Sequence, residues 1–151
     1  MAVTIAPSVE AMDAITDRIN SGTAYVLDVT ATYGELMIDE REEIDCLRVD
    51  VTSEDEVQLS ETLDTEDRTS HAIRVWIRSP IRDTRENDKL AALKLLTRQI
   101  FQRLNTGSLN NTRVQIWDVD EESKQNPDKA LLHQDRLYVA SIVLRVEVEA
   151  A

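Results

Sequence analysis

The 151-residue sequence predicts an α+β fold: an about five-stranded, mostly antiparallel sheet with two helices packed on one face and a long C-terminal strand. Three observations lead there. Only two segments carry apolar residues at helical spacing, several short segments alternate apolar and polar residues, and the chain closes with RLYVASIVLRVEVE, which contains no Gly, no Pro and no break in strand character from Arg136 to Glu149. Extended at about 3.3 Å per residue, that run reaches roughly 45 Å, more than twice the usual strand. Two helices can cover one face of such a sheet but not both, so the pattern predicts an open sheet face. A strand of that length also predicts an overhang that something outside the domain pairs with or covers.

In chain order, Val9, Met12, Ile15 and Ile19 fall on one side of a helix over Ser8 to Asn20, stopped by the NSG that ends at Gly22. Tyr25 to Thr30 reads as a first strand. A second runs from about Ile44 to Thr52, with Leu47, Val49 and Val51 facing the core and Arg48 and Asp50 facing out, and Val57 and Leu59 extend it past an acidic turn. The polar, unpatterned Ser60 to Ser70 reads as an exposed loop. His71 to Arg78 is the clearest strand: Ile73, Val75 and Ile77 face one way, Arg74, Trp76 and Arg78 the other, and Ser79-Pro80 ends it. The best helix follows, opened by Asp83 with Glu86 in a capping-box arrangement, carrying Leu90, Leu93, Leu96 or Thr97, Ile100 and Leu104, and closed by Asn105 to Gly107. Arg113 to Val119 is the fourth strand, with Val114 and Ile116 on one face and Arg113, Gln115 and Trp117 on the other. A last loop, DEESKQNPDKA, leads to the terminal strand.

Composition narrows the function. Apolar residues make up 42% of the chain and charged residues 30%, as in a folded domain, and the length suits a single domain over 1–151. The formal net charge of −12 repels phosphate backbones and anionic lipid heads, which argues against sequence-reading DNA binding. One cysteine, Cys46, allows no internal disulfide, and among strand residues it reads as a small apolar filler. The start shows no basic leader before an apolar run, and no stretch reaches membrane-spanning length, so assembly in the cytoplasm is the expectation.

No catalytic pattern emerges. His71 and His133 lie in no metal-ligand spacing, Cys46 has no CxxC partner, and the three glycines form no phosphate loop. DVDEES at Asp118 to Ser123 lacks the central Gly and the spaced closing Glu of a calcium loop. DEREEID at Asp39 to Asp45 reads as a solvated charged turn. The sequence therefore predicts no enzyme, no cofactor and no metal. The rival of another class is a small acidic metal-binding or regulatory module using one of those two carboxylate runs.

The informative part is the sheet face without helices. It is expected to present Trp76 between Arg74 and Arg78 on the third strand, Arg113, Trp117 and Val119 on the fourth, and Leu137, Val139 and Val143 on the terminal strand. The other face of that strand, with Tyr138, Ala140, Ile142, Leu144, Val146 and Val148, stays apolar throughout and is expected under the helices. An uncovered apolar patch with Trp and Arg is a signature of a protein interface. The competing reading is that a loop such as Ser60 to Ser70 folds over the patch, or that both tryptophans are core residues. On the interface reading the contact residues are Trp76, Arg78, Trp117, Val119, Leu137, Val139 and Val143.

The segments KLAALKLLTRQIFQRLNTG, RVQIWDVDEES and LLHQDRLYVASIVLRVEVE resemble the tail terminator (tail-completion) and related head–tail joining proteins of long-tailed bacteriophages. There a long helix ends in a small-residue turn, followed by a short strand with an aromatic and a final extended strand of this kind. The similarity covers about Ile73 to Glu149, and the acidic stretch from Asp39 to Asp67 is longer and more charged than in the family. What the resemblance implies is a structural virion protein at the head-proximal end of the tail. Its partners would be copies of itself in a ring, commonly a hexamer, the tail tube protein, and a head connector or neck protein. DNA would pass through without specific binding. A different neck or head–tail joining protein is the nearest alternative.

Overall fold

The computed structural model describes residues 6–34, 46–53, 68–81, 87–105, 109–119, 132 and 136–149. They form α1 (Pro7–Asn20), β1 (Ala31–Gly34), β2 (Arg48–Ser53), β3 (Arg68–Pro80), α2 (Asn87–Asn105), β4 (Val114–Val119) and β5 (Leu137–Glu149). The strands make one five-stranded sheet in the order β1-β2-β3-β5-β4, antiparallel except for the parallel pair β1 and β2. The α+β class and the long closing strand are therefore as the sequence predicts.

Helix α1 begins at Pro7, whose fixed φ suits the first helical position, and the Ala6 carbonyl accepts from the N–H groups of Val9 and Glu10, both at 3.0 Å. It buries Met12, Ile15 and Ile19 together with Ala11 and Ala14. The Thr16 hydroxyl, also buried, donates to the Met12 carbonyl at 2.7 Å. Helix α2 buries Leu93, Leu96, Thr97, Ile100 and Leu104. Both stripes meet one continuous core with Val49, Val51, Ile73, Val75, Ile77 and the even-numbered residues of β5 from Tyr138 to Val148. Each apolar side chain buried to this depth contributes roughly 1.5–3 kcal/mol, which is why two amphipathic helices hold one sheet face closed. The Tyr138 hydroxyl, inside this layer, meets the Thr97 hydroxyl at 2.9 Å.

The long terminal strand has an answer within the chain. β5 is matched residue for residue by β3, also 13 residues, from Arg68 opposite Glu149 to Pro80 opposite Leu137. The expected overhang is thus absent on the β3 side. The third strand is longer than the sequence suggests because Arg68 to Ser70, read there as loop, pair with Glu149, Val148 and Glu147. On the other side, among the described residues, β4 pairs with Leu144 to Val148. Just before β5, Arg136 takes a left-handed φ of 51°, which is uncommon for a residue with a Cβ, and its carbonyl accepts from the Ile81 N–H at 2.8 Å.

The first strand differs from the sequence reading. Tyr25 to Thr30 is not a strand; β1 lies just beyond it at Ala31–Gly34. Tyr25, Leu27 and Val29 alternate because they pack on the core, yet the backbone there is held by side chains and not by a ladder. Gln99 Oε1 accepts from the Val26 N–H at 2.9 Å, and the Tyr25 hydroxyl donates to the Ile19 carbonyl at 2.6 Å. Arg103 stacks on the Tyr25 ring at 4.0 Å and donates to the Ile19 and Thr23 carbonyls. The Asn20 amide grips Ala31 from both sides, donating to its carbonyl at 3.0 Å and accepting from its N–H at 2.8 Å. The Val57–Leu59 extension, most of the 60–70 segment, the Asp83–Glu86 cap, the close at 106–107 and His133 lie outside the described residues.

Candidate functional site

The sheet face opposite the helices is built from β2, β3 and β5. Arg48, Asp50 and Thr52 point to it from β2, Arg74, Trp76 and Arg78 from β3, and Leu137, Val139, Ser141 and Val143 from β5, the alternation the sequence predicts. The face is nevertheless buried within the chain. Trp76 is 8% exposed, Arg78 2%, Leu137 7%, Val139 6% and Val143 4%, so these five do not form the uncovered wall expected of them. Trp76, Leu137 and Val139 make a small apolar cluster of their own. Asp50, assigned outward by alternation, is buried as well, as is Thr52.

Polar groups are organised around that cluster. The Arg78 Nη2 donates to Asp50 Oδ2 at 2.7 Å, both side chains being buried. Asp50 Oδ1 accepts from the Thr32 hydroxyl at 3.2 Å and lies 3.5 Å from Arg48 Nη2. Trp76 Nε1 donates to Thr52 Oγ1 at 3.1 Å, Arg74 stacks over the indole at 5.1 Å, and Arg74 Nη1 donates to the Ser141 hydroxyl at 3.0 Å. A buried carboxylate with three donors is well held. The guanidinium is less well served: Arg78 Nε and Nη1 have no hydrogen-bond partner. Chemically the arrangement is a structural lock, an ion pair plus an indole hydrogen bond.

Trp117 is a different case. It is 68% exposed, more than any other large hydrophobic residue among those described. It stands on edge strand β4 at a register shift between Ile116, opposite Val146, and Asp118, opposite Arg145. Such a bulge puts an extra residue into one strand and changes the phase of everything after it. Val119, expected beside Trp117 on the helix-free face, is therefore turned to the helix side, opposite Leu144 and against the main core. Nothing in VQIWDV marks a bulge, since it contains no Gly, so simple alternation misplaces Val119.

Tyr33, 44% exposed on the opposite edge strand β1, is the residue the sequence reading missed, because the first strand was placed too early. Its register partner Val51 belongs to the helix-side core, so Tyr33 projects on that side. Cys46 is exposed, not an apolar filler, since it precedes β2 instead of lying in it. His71 is buried within β3, its Nε2 2.8 Å from Thr69 Oγ1. Among the described residues no group of three or more His, Cys, Asp or Glu is placed to hold a metal ion, and no helix is long and apolar enough to cross a membrane.

Fold and site together define an α+β domain whose second sheet face is buried around a polar lock and whose two sheet edges carry exposed aromatics. No protein-family model matches the chain, and no curated protein matches it.

Proposed function

We propose that the chain is a non-enzymatic virion assembly protein that forms a ring on the end of a phage tail tube, stops tube growth and offers the surface that joins the tail to the head connector. The observation that carries the association step is Trp117, a large aromatic left 68% in water on an edge strand. Exposed tryptophans of this kind are frequent anchors of protein contacts. The order of a long helix, a Trp-bearing strand and a long closing strand supports the phage part of the reading through the resemblance of Ile73 to Glu149 to tail terminators. A ring of unlike contacts needs two different patches on each subunit, and the two edges of this sheet are different. Each copy adds a formal charge of −12, which suits a ring through which DNA slides without cationic sites to hold it.

The test is to add the purified protein to polymerising tail tube protein and image the product by negative stain. Tubes that stop lengthening and carry a ring at one end are the expected result. Rings that bind the tube while growth continues would place the protein elsewhere in the neck, and unaltered growth without rings would refute the assignment.

A further inference from the structure

We propose that neighbouring copies meet edge to edge, the β4 edge of one against the β1 edge of the next, with Trp117 and Tyr33 as the two anchors. The proposal rests on the ring reading and names the contact that would build it.

Strand direction is the first support. β1 runs with β2, β2 against β3, β3 against β5 and β5 against β4, so the two edge strands of the sheet run in opposite directions. A rotation that relates ring neighbours about an axis along the strands preserves those directions, so β4 and the next copy's β1 arrive antiparallel. The sheet then continues across the boundary with helix side meeting helix side.

Side-chain placement on each side is the second. On the helix side Tyr33 projects from β1, while β4 presents Ile116 and Val119, which are only partly buried against the core. Trp117 stands at the bulge beside them, 68% exposed, while on its other side β1 offers the small Thr32, backed by Arg48 with its side chain 40% exposed. Each edge thus projects one exposed aromatic, and a guanidinium is a favourable neighbour for an indole face. Two-fold pairing of β4 with β4 would cover Trp117 but leave Tyr33 in water, whereas this one contact type covers both.

The occupant is a second copy and not an arbitrary extended peptide. The described part of β1 spans four residues and β4 is interrupted by its bulge, whereas opposite strand directions and one exposed aromatic at each edge suit a second copy.

Complementation tests it. The full chain and the variants Trp117→Lys and Tyr33→Lys are compared by light scattering behind size exclusion, alone and mixed one to one, with thermal melts to establish folding. Each variant alone is expected to be monomeric, and the mixture to form a dimer and stop, because Trp117→Lys keeps its β1 edge and Tyr33→Lys keeps its β4 edge. If Tyr33→Lys melts early, Tyr33→Gln takes its place. A mixture that stays monomeric overturns the proposal, as does Tyr33→Lys assembling like the parent while Trp117→Lys does not, which is the mark of a two-fold β4 contact. Rings untouched by both substitutions overturn the edge contact and leave the ring reading standing. A parent chain that never assembles, free or on tubes, removes both.

Discussion

On the helix side of β3, Ile73, Val75 and Ile77 are completely covered by apolar neighbours; on its other side Trp76 and Arg78 are covered almost as fully but are tied to Thr52 and Asp50. The first closure is non-directional and tolerates repacking. The second depends on direction. Both ties step diagonally by two residues in the same sense, from Asp50 to Arg78 and from Thr52 to Trp76, relative to the paired positions Asp50 opposite Trp76 and Thr52 opposite Arg74. A one-residue slip of β2 on β3 would strand an unpaired carboxylate and guanidinium, so this face fixes the register that the helix-side core merely fills.

That contrast can be broken or sharpened by substitution. The largest effect is expected for Asp50→Ala, which leaves the Arg78 cation buried without its partner; urea unfolding should show a loss of about 3–5 kcal/mol. Adding Arg78→Met to it should recover most of the loss, and a double variant as unstable as the single one would deny the lock. Leu96→Ala, on the apolar side, is expected to cost about 2–5 kcal/mol through a cavity, with no second-site rescue by removal of a charge. Trp76→Phe keeps the ring but removes the donor to Thr52, at about 1–3 kcal/mol by the same measurement. Trp76→Ala should accordingly damage folding and not only association, contrary to what an exposed position would give.

A pH experiment sharpens the helix side. Burial raises the Tyr138 hydroxyl above the ordinary tyrosine range, the Thr97 hydrogen bond opposing it in part. Below about pH 10 the phenol is neutral folded and unfolded, so its stability contribution is whole; above that the unfolded chain ionises first, and stability falls until the folded group also titrates. Tyr138→Phe should flatten the alkaline decline in melting temperature. Some decline remains from Tyr25, which burial also raises while Arg103 and Arg18 oppose it. The smallest effect belongs to Trp117→Ala, whose unfolding free energy should change by no more than about 0.5 kcal/mol while self-association weakens. A much larger loss would make Trp117 a folding residue.

The sequence made the helix-side layer legible because its signal is periodic: Met12, Ile15 and Ile19, the stripe from Leu93 to Leu104, and the even positions of β5 are all buried as their spacing requires. The other layer was legible in its facing and illegible in its burial. Alternation says that Asp50 and Arg78 share a side with Trp76, but polar residues on one side of a strand normally mean water, and only the pairing of β2 with β3 brings the charges within 2.7 Å. Val119 was misplaced because a bulge leaves no mark in VQIWDV, and Tyr33 was missed because Tyr25, Leu27 and Val29 alternate without a ladder. Of the large hydrophobic residues expected on an uncovered wall, Trp117 is the one left exposed.

The matched pair of β3 and β5 sets a timetable for folding. Arg68 must find Glu149, and Pro80 must find Leu137, across intervening chain that includes α2 and β4. Closing so long a loop costs entropy before any contact is gained, so pairing at the sheet's centre is expected to be slower than formation of the local elements. On the ribosome, α1 and β1 to β3 emerge with their central seam unfilled, and the lock of Asp50 on Arg78 can form before the helix-side core has its last strand. A nascent chain therefore lacks the centre of its sheet until β5 has emerged.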